Sequence, residues 1–147
     1  MTTWTDLRQR LRALLSDPNG VLFSDALLEE AARRALAALD AAGGGLGWTL
    51  AGLNGAVETS LPAPEQEICL AGAGAAAVTL RALARAERFD LNESIGGELA
   101  GWAERQQAQF DAALERVRSR CLQSATLPPY GSAGWPLDGP ANCPEEI

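Results

Sequence analysis

Phe23-Ser24-Asp25-Ala26-Leu27-Leu28-Glu29-Glu30-Ala31 is the stretch on which the fold turns. Ser24 is placed to cap a helix, because its hydroxyl can accept an otherwise unpartnered N–H of the first turn. Phe23, just before it, can staple onto Leu28. From there Leu27, Leu28, Ala31, Ala35 and Leu39 recur at helical spacing, and Glu29, Glu30, Arg33 and Arg34 take the opposite face. Gly43-Gly44-Gly45 ends the run. Glu29 and Glu30 are neighbours in sequence and point about 100° apart on a helix, so they cannot act together as one acid/base pair.

Working outward, Thr3-Trp4-Thr5-Asp6 has the spacing of a capping box. Trp4, Leu7, Leu11, Leu14 and Leu15 then carry an apolar stripe until Asp17-Pro18-Asn19-Gly20 breaks it. On the other side, two short β-compatible runs, Trp48-Thr49-Leu50-Ala51-Gly52-Leu53 and Ala56-Val57-Glu58-Thr59-Ser60-Leu61, flank Asn54-Gly55. Asn-Gly suits a turn whose two central residues both need φ > 0, and it predicts a hairpin over residues 47–61. Pro62 and Pro64 close the hairpin, Pro64 fitting the first turn of a third helix. That helix is expected from about Glu65 to Arg88, and a fourth follows with Leu99, Trp102, Phe110, Ala113, Leu114, Val117 and Cys121 on one face.

The expected fold is mainly α: a four-helix bundle-like domain over residues 1–122 with one inserted β-hairpin, and an extended arm over residues 123–147. Leu11, Leu28, Leu36, Leu83, Trp102, Leu114 and Val117 are its expected core. Five prolines, at 128, 129, 136, 140 and 144, exclude a regular element from the arm. The arm carries Tyr130, Trp135 and Leu137, which mark it as an interface segment that orders on a neighbouring molecule.

Composition narrows the chemistry. Apolar residues make up 47% of the 147-residue chain but aromatics only 5%, a balance that favours close-packed helices over a β-sandwich. The net charge of −7 argues against a protein that grips nucleic acid by its phosphates. Every basic residue is an arginine, and without histidine a serine or cysteine nucleophile lacks its usual base, so no enzyme activity, metal or cofactor is expected. Cys69, Cys121 and Cys143 are odd in number and widely spaced, which suggests neither a disulfide framework nor a zinc site and fits synthesis in a reducing cytoplasm. No apolar run is expected to reach the roughly 18–20 residues of a membrane span. Arg8, Arg10 and Arg12, like Arg116, Arg118 and Arg120, alternate along helices and are expected to serve a solvated face or inter-subunit ion pairs.

One segment does carry a chemical signature. Gly72-Ala73-Gly74-Ala75-Ala76-Ala77 follows an apolar run and matches the glycine pattern of a dinucleotide-binding turn. Such a site needs a second parallel strand ending in an acid about 20 residues on, and Ala86-Glu87-Arg88-Phe89-Asp90 reads as no strand. An alanine- and glycine-rich helix that lets a neighbour approach closely is the better reading; a small nucleotide-binding enzyme is the alternative.

Trp4-Thr5-Asp6-Leu7-Arg8-Gln9-Arg10-Leu11-Arg12, followed by the Phe23 to Ala31 segment, resembles the head–tail connector (adaptor) proteins of tailed bacteriophages. The likeness extends over residues 3–122 in the order of elements: a short Leu-Arg-x-x-Leu helix, an aromatic and Ser/Thr-Asp before a leucine-rich helix, a hairpin ending in Leu-Pro, then two further helices. The resemblance implies a virion protein at the neck, made in the host cytoplasm, in a ring of about twelve copies beneath the portal. It also implies binding to the portal and to a neck or tail protein, with DNA passing through the lumen without sequence-specific binding. The glycines at 43–47 and the small residues of the third helix depart from that pattern. A tail-side neck or completion protein, or a helical regulator, is the other alternative.

Overall fold

Four helices form where the apolar period is 3.6: α1 (Trp4–Leu14), α2 (Asp25–Ala42), α3 (Ala63–Glu87) and α4 (Gly97–Ser124). The structure is a computed structural model in which residues 2–87 and 97–124 are described. Both expected caps are made. Thr3 accepts the N–H of Asp6 while Asp6 accepts the N–H of Thr3, closing the capping box of α1. Ser24 accepts the N–H of Leu27 at the start of α2.

α3 is the helix against which α1, α2 and α4 all pack. The core joins Leu7 and Leu11 of α1 to Leu28, Ala31, Ala35 and Leu39 of α2, Cys69, Ala73 and Val78 of α3, and Phe110 and Val117 of α4. Leu11, Leu28, Leu36 and Val117 are buried as expected, and Trp102 and Leu114 are partly buried against the core. Leu83 is not a core residue: it is 57% exposed. With alanine on almost every face of α3, the apolar period does not fix its rotation. The buried side is chosen instead by where the small residues let neighbours in.

By length and composition Ala63–Arg85 is apolar enough to cross a membrane, contrary to the sequence expectation. Its hydropathy comes from alanine and glycine, the residues that close helix packing requires, and it lies in contact with the other three helices.

The hairpin over residues 47–61 is corrected. The turn is made, with Asn54 at φ 54° and Gly55 at φ 75°. No strand forms in this segment; its one bridge pairs Ala51 with Thr3. Backbone pairing across the turn is sparse: Gly52 N–H goes to the Ala56 carbonyl (2.8 Å), and the N–H groups of Ser60 and Leu61 share the Thr49 carbonyl (3.0 and 3.1 Å). Hydroxyls take up other backbone groups. The N–H of Thr49 goes to Ser60 Oγ (2.9 Å), the N–H of Ala51 to Thr59 Oγ1 (2.9 Å), and Thr49 Oγ1 donates to the Glu58 carbonyl (2.8 Å). Side-chain oxygens competing for backbone partners break up regular pairing. Burial agrees, since Leu50, Ala51 and Leu53 are all buried where a strand would alternate.

Candidate interaction surface

Three features of the molecule, two at its surface and one at a buried helix seam, are built by identifiable residues. The first is the connection between α1 and α2. Asp17 is only 4% exposed, and its carboxylate accepts the N–H groups of Val21 (2.9 Å), Leu22 (3.0 Å) and Phe23 (2.8 Å). Arg12 closes the site from α1: its guanidinium donates to the carbonyls of Asp17 and Phe23 and to Asp25 Oδ1 (2.6 Å), and lies 3.6 Å from Asp17 Oδ2. Burial alone would raise the Asp17 carboxyl, but the three N–H donors and the Arg12 charge outweigh it and hold it below the ordinary range. Asp25 is also lowered, first by its hydrogen bond from Arg12 and then, against partial burial, by the Arg8 and Arg12 charges.

The outcome is a fixed loop that folds Phe23 inward and leaves Val21 and Leu22 outward, 81% and 49% exposed. The guanidinium of Arg81 lies 5.0 Å from the Phe23 ring centre and ties the loop to α3. Arg12 therefore serves an intrachain network, which its alternation with Arg8 and Arg10 did not indicate. Three more arginines of the two alternating sets also pair within the chain: Arg10 with Glu67 (2.6 Å), Arg118 with Glu115, and Arg120 with the buried Glu65 (3.0 Å).

The second feature is the glycine face of α3. Residues 72–77 lie in the interior of the helix, where backbone N–H groups are taken by carbonyls four residues back. A pyrophosphate cradle instead needs the free N–H groups of a helix start. A Cβ on Gly72 would stand 2.5 Å from the Phe110 ring, and one on Gly74 3.1 Å from Leu14 and 3.3 Å from Trp102. The glycines admit aromatic rings of α4 and a leucine of α1.

The third feature is a groove of about 470 Å³ between α3 and α4. Val78 and Ala82 line it from α3, Ala100, Ala103 and Ala108 from α4, with Glu104, Gln107 and Asp111 along the α4 side. Gln107 donates to Asp111 Oδ1 (2.8 Å). Among the described residues neither Glu104 nor Asp111 has a cationic partner. Thr79 and Gln107 continue into a smaller depression of about 270 Å³ between α2, α3 and α4, floored by Gly72, Ala76 and Phe110.

Of the cysteines, Cys69 is fully buried and its thiol is pushed up to about 12 by burial. Cys121 is half-buried and its Sγ donates to the Gly43 carbonyl at 3.1 Å. Among the described residues no group of three His, Cys, Asp or Glu converges as a metal site would require. Tyr130, Trp135 and Leu137 lie outside the described residues, as does Cys143. What the sequence reading missed is Asp17 and the α3–α4 groove. Asp-Pro-Asn-Gly signals an Asp that bonds nearby backbone, although its reach to Phe23 is not written there. The chain matches no protein-family model, and comparison with curated proteins and with solved structures returns no match.

Proposed function

We propose that the chain is a structural interaction protein, a head–tail adaptor that forms a ring beneath a phage portal and joins the capsid vertex to the neck or tail. The observation that carries this reading is the pairing of the two segments behind the resemblance. α1 and the opening of α2 are locked into one unit by Arg12, Asp17 and Asp25, and that unit displays Val21 and Leu22 outward. A rigid apolar projection costs little conformational entropy when it docks, as subunit and partner contacts favour. The excess of acids suits a lumen through which DNA slides, because phosphates are repelled rather than held.

The test is assembly. The full chain is co-expressed with a portal protein from the same genome, and complexes are sized by native mass spectrometry and viewed by negative-stain electron microscopy. The reading expects the chain on the portal as a ring, and loss of that ring in a Val21→Asp/Leu22→Asp variant that keeps its helical circular dichroism. A chain that stays monomeric with the portal and is absent from purified particles would overturn it.

A further inference from the structure

We infer that the α3–α4 groove is the docking site for a helix from a different protein, one with small apolar residues along its contact stripe and cationic residues seven apart beside it. The inference rests on the reading of this chain as an interaction protein and is independent of whether it forms a ring.

The floor sets the size of the occupant. Val78, Ala82, Ala100, Ala103 and Ala108 are short, so another backbone can come close, as in helix–helix seams built on small residues. The edge sets the charge. Glu104 and Asp111 stand seven residues apart on α4, two turns or about 10.5 Å along one edge of the groove. In paired helices, charges that flank an apolar seam at a seven-residue repeat select a partner with opposite charge at matching positions. Here both acids lack a cationic partner among the described residues, so this edge is complementary to a cationic helix.

A second copy of the chain does not supply that pattern. Of its arginines, which are its only basic side chains, Arg81 and Arg88 alone are seven apart, and Arg88 lies outside the described residues. Arg81 is already engaged over the Phe23 ring. The occupant is therefore a heterologous helix.

The experiment uses the full chain and two synthetic peptides of three heptads. Both carry alanine and leucine at the seam positions; one has arginine, the other glutamate, at the flanking position of each heptad. Binding is measured by isothermal titration, and the site is mapped by amide chemical shifts. The arginine peptide is expected to bind, perturbing residues 78–82 and 100–111, and to weaken about tenfold on the double substitution Glu104→Gln/Asp111→Asn. Ala108→Trp, at an exposed helical position, is expected to fill the groove and abolish binding with circular dichroism unchanged. Glu104→Arg/Asp111→Arg is expected to switch preference to the glutamate peptide. Equal binding of both peptides, shifts spread over the acidic surface away from the groove, no binding of the arginine peptide, or indifference to Ala108→Trp would each overturn the proposal.

Discussion

Two connections, one from α1 to α2 and one from α2 to α3, solve the same problem in opposite ways. Each must satisfy backbone N–H groups that no regular element takes up. The first gives three of them to a single buried carboxylate, Asp17, with Arg12 behind it. The second spreads them over the exposed or half-exposed hydroxyls of Thr59 and Ser60, with Thr49 answering Glu58. A buried charge with several donors is an all-or-none arrangement, because removing it strands every donor at once. Hydroxyls near water can be replaced one at a time. The α1–α2 connection is therefore a keystone, and the α2–α3 connection is a redundant mesh.

Asp17→Ala should be the most damaging change, costing about 2–3 kcal/mol by leaving the N–H groups of Val21, Leu22 and Phe23 unpaired. Chemical denaturation would read it, and an unchanged midpoint would show that water or another side chain replaces the carboxylate. Acid should act on the same group. The folded Asp17 carboxyl is held low, so its stabilisation is present above the unfolded value of about 3.9 and is lost as pH falls through the lower folded value. Melting temperature measured from pH 6 down to pH 2 should drop below about pH 4, and less steeply in Asp17→Asn, with Asp6 and Asp25 contributing in the same direction.

In the mesh the effects should shrink. Gly55→Val forces a β-branched residue into φ 75° with open space around it, so only backbone strain of about 1–2 kcal/mol is expected. The amide spectrum should change only around residues 49–60. Thr49→Val removes one half-buried hydroxyl that donates to the Glu58 carbonyl and accepts the N–H of Ser60, which keeps the Thr49 carbonyl as a partner, a loss of about 1 kcal/mol. A larger loss for Thr49→Val than for Asp17→Ala would invert the comparison.

The same contrast explains what could be read from the sequence. All four helices were legible, because caps such as Ser24 and Thr3 and the stripes of α1, α2 and α4 are local signals. Asn54-Gly55 announced its turn correctly. The ladder failed because pairing depends on what flanks the turn, and the hydroxyls of Thr49, Thr59 and Ser60 compete with the opposite backbone for its partners. Leu83 was misplaced because an alanine-rich helix gives no rotational preference of its own. The α3–α4 groove is a relation between two helices, so no single segment carries it, and Asp17 looked like a helix breaker because its partners lie four to six residues away.

Gly72 and the ring of Phe110 occupy one volume between them. Divergence at these two sites should therefore be coupled. A lineage that gains a methyl at 72 must give up bulk at 110, or let α3 and α4 separate and remodel the groove above them. Among relatives of this chain, alanine or serine at 72 should travel with leucine or something smaller at 110. The same pair offers an engineer a two-position control over the spacing of the helices, and so over the width of whatever they hold.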